Sequence, residues 1–144
     1  MKWVKRILII LLLALIIITA IILLNGYHLY QSVLSETSLT DKINEIKENK
    51  DYVSLSDVPD YYKNAIIAVE DHRYYDHGAI DIIAIGRAIV SNIQAGSFNE
   101  GGSTISQQVA KNLYFITEDD VVSRKIAEIF MAFDLENHYS KDDI

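Results

Sequence analysis

The chain of 144 residues contains no cysteine and a single proline, Pro59. The first absence removes disulfides, thiolate metal sites and cysteine nucleophiles together, so any part outside a membrane must be held by its core. The second, with the lack of any clean alternating run, leaves little room for sheet and predicts an all-α fold. No internal repeat or low-complexity segment is present. Residues 1–30 hold no acid, and no Lys or Arg stands between Arg6 and Lys42. The net charge of −7 therefore divides into +3 for residues 1–30 and −10 for residues 31–144. So acidic a second part argues against nucleic acid as a partner.

Against these absences stands one long apolar run, Ile7 to Leu24, broken only by Thr19. Roughly 20 apolar residues cross a bilayer. Trp3 before the run and Tyr27 and Tyr30 after it suit the headgroup layer. A secretory signal has a shorter apolar region and a small-residue cleavage site, and no A-x-A pattern follows here. An uncleaved anchor is the better reading. Lys2, Lys5 and Arg6 put the N-terminus inside. The expected organisation is a cytoplasmic tail over 1–6, a transmembrane helix over 7–26, a juxtamembrane stalk over 27–54 and an outer domain over 55–144. In a bacterium this is a single-pass protein of the cytoplasmic membrane with its domain on the outer face.

The outer domain reads as consecutive helices. "SDVPDYYKNAIIAVED" offers Asp57 as N-cap with Pro59 in the first turn, and Tyr62, Ile66 and Val69 on one face. "IDIIAIGRAIVSNIQAG" carries a stripe of Ile82, Ile85, Ile89 and Ile93, with Gly96 as a stop. A loop from Asn99 to Gly102 leads into "STISQQVAKNLYF", where Thr104 and Gln107 have capping-box spacing and Ile105, Val109 and Leu113 share a face. In "TEDDVVSRKIAEIFMAFDLENHY", Thr117 is the expected cap and Val122, Ile126, Ile129 and Phe133 the stripe. Ser140 and Asp143 open what looks like another helix one turn before the last residue, which predicts a sequence cut within it.

Three stretches carry chemistry, and each has a plainer reading. Glu70 and Asp71 close an apolar helix, as a solvated end or as a site. His72 and His77 are i, i+5, a poor spacing for shared metal ligation. "GGSTISQQVAKNLY" brings backbone N–H groups, then Lys111, onto one side of a helix start, which attracts anions. Arg124 and Lys125 stand four and three residues before Glu128, either as a surface ion pair or as a cationic clamp for a phosphate leaving group.

In this order and separation, "EDHRYYDHGA", "GGSTISQQVAKNLY" and "RKIAE" resemble the first three motifs of the peptidoglycan glycosyltransferases, family 51, the transglycosylase domain of class A penicillin-binding proteins and their monofunctional relatives. The resemblance runs from about Pro59 to the last residue and implies a lysozyme-like helical domain, of which residues 55–144 are the N-terminal part. It implies Glu70 as catalytic base and Glu128 as the second functional carboxylate. Lys111, Arg124 and Lys125 match positions around the donor pyrophosphate. Ser103, Thr104, Gln107 and Gln108 match the polar lining, and Asp71 and His77 match structural positions of the first motif. Tyr74 stands where the family usually has Phe, so its hydroxyl needs a partner. Ala79 stands where Gly is usual, and Lys141 matches the first residue of a fourth motif.

The implied activity is polymerisation of glycan strands from lipid II, inverting, with undecaprenyl pyrophosphate as leaving group. The implied partners are lipid II, the growing strand, membrane lipid, and proteins of cell-wall synthesis or division. The resemblance brings no certain cofactor, and leaves room for a divalent metal, Mg or Mn, at the pyrophosphate. Two alternatives remain at the level of sequence. One is a lysozyme-like hydrolase, which needs an acid–base pair but no cationic clamp. The other is an inactive tethered relative that binds lipid II or a partner without turnover.

Overall fold

The computed structural model describes residues 2–97 and 101–144. Among them there are helices and no strand, so the all-α class holds. Asn99 and Glu100 of the expected 99–102 loop lie outside the described residues. The first helix, α1, is Lys2–Glu36, followed by α2, Leu39–Lys47. At 1.5 Å per residue α1 is about 50 Å long, well beyond the ~30 Å of a bilayer core. Its N-terminal part is the one helix among the described residues long and apolar enough to cross a membrane.

The C-terminal end of α1 does not lead into a free stalk. It packs on α6, Val121–His138, and with α5, Ile105–Ala110, makes the core. Tyr30, Ala110, Phe115, Ala127, Met131 and Leu135 are its buried residues, joined by Leu29, Val33 and Leu34 of α1 and Leu39 and Ile43 of α2. Tyr30, expected at the headgroups, is only 9% exposed and donates to the Asp134 carboxylate. The ring at position 27 packs edge-on against Phe130, with centroids 5.3 Å apart. Apolar residues too sparse to mark a stripe in sequence thus find partners 100 residues away. α2 is capped by Ser38, whose Oγ accepts from Asp41 N at 3.1 Å.

The next helices are α3, Asp60–Glu70, and α4, Ile82–Ala95. Pro59 itself occupies the N-cap of α3, and Asp57 ends a separate 3-10 turn, Leu55–Asp57, without capping the helix. The stripes expected on α3 and α4 have the right period but are not covered. Ile82 is 80% exposed and Ile93 75%, Ile85 and Ile89 are also exposed, and on α4 only Ala88 is buried. Tyr62, Ile66 and Val69 are exposed as well. Periodicity fixes which residues share a face, and the presence of a neighbour decides whether that face is core. Gly96 does end α4, at φ 64°, a conformation that favours glycine.

α6 begins one turn later than expected. Asp120, not Thr117, is its cap, accepting from Val122 N at 3.1 Å and Ser123 N at 3.2 Å. Its buried row is Ser123, Ala127, Met131 and Leu135, one to two positions past the predicted stripe, and Val122 and Phe133 stay exposed. A helix sandwiched between two others is apolar on more than one side, and the small residues mark where the neighbours come close.

α4 starts from a clasp rather than a simple cap. Asp81 Oδ1 accepts from Ile83 N at 2.9 Å and Ala84 N at 3.0 Å, while Oδ2 meets Arg73 Nε at 3.2 Å. Burial opposes its ionisation, but the Ala84 and Ile83 N–H groups and the Arg73 guanidinium outweigh it and hold the carboxyl below the usual range. A depressed folded value contributes stability above the unfolded one, near pH 4, and loses it as pH falls through the folded one. Asp81→Ala is expected to lower unfolding free energy by about 1–2 kcal/mol at pH 7, with the gap from the parent narrowing below about pH 4. Denaturant titration in detergent at both pH values checks this, and equal stability at pH 7 would refute the clasp.

Candidate active site

Glu70 is the last residue of α3, and two contacts fix where it sits. The next residue, Asp71, is buried and accepts from Ile105 N at 3.1 Å, so the end of α3 is tied to the start of α5. His77 Nε2 lies 2.8 Å from the other Asp71 oxygen, and His77 Nδ1 lies 2.7 Å from Gly78 O. Glu70 itself stays exposed, with its Oε2 accepting from Gln108 Nε2 at 2.8 Å. A helix ending on two acids thus uses one as a fastener and leaves the other exposed.

α5 is held by the expected capping box: Gln107 N donates to Thr104 Oγ1 at 3.2 Å, and Thr104 N to Gln107 Oε1 at 3.3 Å. Thr104 therefore does not line a site. It is buried, and its hydroxyl donates to Ala79 O at 3.0 Å. Ala79 is itself buried, and no non-glycine residue among those described has positive φ, so the departure from Gly costs nothing here. After Ala110 the helix widens into a π-turn, Lys111–Phe115. Such turns recur at functional sites. Nothing in the residue types signalled this one.

α6 supplies the remaining groups. Glu128 is only 3% exposed and lies 2.8 Å from Lys125 Nζ and 3.4 Å from Arg124 Nε. Lys125 Nζ also donates to Ser103 Oγ at 2.6 Å, bridging α6 to the turn before α5. Arg124 Nη1 donates to Glu118 O at 2.9 Å. Its Nε is the one buried side-chain polar atom among the described residues without a hydrogen-bond partner. It is left with the ionic contact to the Glu128 carboxylate at 3.4 Å.

These elements enclose a cleft of about 490 Å³ lined by Val69, Glu70, Gly101, Ser103, Gln107, Gln108, Lys111, Asn112, Arg124, Lys125 and Glu128. Of the residues expected in a site, Glu70, Glu128, Lys111, Arg124, Lys125, Ser103, Gln107 and Gln108 come together in it, whereas Thr104, Asp71, His77 and Tyr74 do not. Gly101, the first glycine of the second motif, lines it too, and Val69 and Asn112 do so without having been anticipated. Asn112, one residue from Lys111, had a positional signal only.

The profile of the transglycosylase family matches residues 36–144. The chain belongs to that family. The matched region includes α2 and the last residue of α1, so α2, which precedes Pro59, is part of the family's domain. The chain is 47% identical to penicillin-binding protein 1F of Bacillus subtilis over 97 residues, which is 67% of this chain and 13% of that protein. It is 42% identical to a monofunctional glycosyltransferase of Staphylococcus saprophyticus over 111 residues, 77% of this chain and 40% of that protein. With penicillin-binding protein 1A of Neisseria lactamica it shares 40% over 98 residues, 68% of this chain and 12% of the relative. The matched part thus spans 40% of the monofunctional relative and only 12–13% of the two penicillin-binding proteins.

Two further polar clusters are accounted for by the fold. Asp71, His77 and Asp81 present ligand atoms within 4.8 Å of one another. Their oxygens already accept from Ile105, Ile83 and Ala84 N–H groups and from Arg73, so the trio reads as a clasp and not a metal centre. In the cleft, Glu128 is engaged by two cations, while Glu70 accepts from Gln108 through one oxygen, so a divalent ion there would have one protein carboxylate and would rest mainly on pyrophosphate oxygens. The Tyr74 hydroxyl donates to Lys141 O at 3.0 Å, and Lys141 Nζ stands 4.2 Å over the same ring while donating to Glu136 at 2.6 Å. Burial raises the Tyr74 phenol above its ordinary range. The family's usual Phe has become a Tyr whose hydroxyl is satisfied.

Proposed function

We propose that this cleft polymerises peptidoglycan glycan strands from lipid II. The observation that carries the reading is the shared cleft itself: one exposed carboxylate, Glu70, across from Lys111, Arg124 and Lys125. Glu70 removes the proton from the acceptor sugar's 4-hydroxyl as that oxygen attacks the donor's anomeric carbon. The bond from that carbon to pyrophosphate breaks on the opposite face, giving inversion and a β-1,4 link. Lys111, Arg124 and Lys125 offset the charge gathering on the undecaprenyl pyrophosphate. Glu128 holds Arg124 and Lys125 in place, and Ser103, Gln107 and Gln108 add polar contacts to sugar. Lipid tails on both substrates call for an active site at the membrane, in keeping with the apolar helix. The basic N-terminus supports an inside orientation, with the cleft on the outer face.

The chain in liposomes with lipid II is expected to give a ladder of glycan polymers on gel electrophoresis, digestible by a muramidase. Shortened sugars in place of polymer would instead indicate a hydrolase. Neither polymer nor cleavage, with lipid II still bound, would indicate the tethered binding relative.

A further inference from the structure

Gly26 lies in the middle of α1, where glycine costs about 0.5–1 kcal/mol relative to alanine. The structure supplies a reason for it. A Cβ at position 26 would collide with the side chain of Ile126 and sit 3.0 Å from Ser123 O. Only glycine lets α1 seat directly on the first turns of α6. The contacts then advance together along both helices: Gly26 on Ser123 and Ile126, Tyr27 on Phe130, Tyr30 on Phe130 and Asp134. The two helices therefore run the same way, and the N-terminal turns of α6 are level with Gly26.

That level has a meaning. The apolar run ends at Leu24, two residues earlier, which is about 3 Å along the axis. Arg124 and Lys125 flank the seat at the height where the apolar run gives way to polar sequence. α1 is continuous from the apolar run through the seat to Glu36, so no break separates the membrane segment from the catalytic helix.

We propose that Gly26 is a positioning residue: by seating α1 on α6 at Ser123 and Ile126, it sets the height and rotation of the Arg124–Lys125 pair relative to the bilayer, at the depth of a lipid-borne pyrophosphate. The inference rests on the polymerase reading for its kinetic half, and its geometric half can be measured without turnover.

Gly26→Ala is expected to raise KM for lipid II in liposomes about tenfold, with kcat within about twofold. In detergent micelles, where the bilayer no longer fixes substrate depth, both constants are expected to stay within about twofold. Adding Ile126→Gly, which removes the obstructing side chain, is expected to recover most of the loss, while Ile126→Gly alone does not raise KM. Spin labels at Leu15→Cys and Val121→Cys, introduced into the cysteine-free chain, report the α1–α6 geometry directly. Their distance distribution is expected to shift or broaden in Gly26→Ala and to return in the double variant. Equal losses in liposomes and micelles, or an unchanged distribution, would overturn the proposal. Absence of polymerisation by the parent would count against the polymerase reading and leave the distance test standing.

Discussion

Glu70→Gln is expected to reduce lipid II polymerisation by about 10³-fold, the scale of a lost general base. The substitution keeps the shape and keeps an oxygen to accept from Gln108, which now bonds Glu70 Oε2 at 2.8 Å. It removes only the capacity to take a proton. Glu70 is exposed and makes no ion pair among the described residues, so unfolding free energy is expected to change by less than about 0.5 kcal/mol. Rate and stability thus separate. A folded variant that polymerises within tenfold of the parent would show that the proton goes elsewhere. Initial-rate measurement alongside denaturant unfolding decides the matter.

Glu128→Ala is expected to act on both quantities. The carboxylate is buried and compensates Lys125 and Arg124 together. Removing one member of a buried ion pair leaves uncompensated charge, a change worth 3–5 kcal/mol when both partners are fully buried. Lys125 is partly exposed, so solvent takes up some of that charge and about 2 kcal/mol is the better expectation. Polymerisation is expected to fall about 100-fold, because the two cations lose the group that aims them at the departing pyrophosphate. Rescue by Glu128→Asp in rate but not in stability would argue for charge over packing. An unchanged rate in a stably folded Glu128→Ala would remove Glu128 from the mechanism.

The cleft was more legible than the core. Glu70, Lys111, Arg124, Lys125 and Glu128 each had a plainer reading alone, and it was the resemblance of the three motifs, in order, that picked them out. The capping box of Thr104 and Gln107 was legible from spacing alone, since both partners lie within one turn. Thr104 as a lining residue was not, because the motif says which residue is present but not which way its hydroxyl points. Asp120 displaced Thr117 as a cap because several consecutive residues there can accept from a helix N-terminus, and packing of α6 selects among them.

Local chemistry settled the helical class, the single apolar run, the Gly96 stop and the identity of the charged groups, since each depends on residues within a few turns of one another. Tertiary structure alone decided which faces are covered. It left Ile82 and Ile93 in the open, drew Tyr30 inward to Asp134, and seated Gly26 on Ile126. Those outcomes depend on which distant helix arrives, and that information is carried by shape complementarity between α1, α5 and α6 rather than by the period of any one of them.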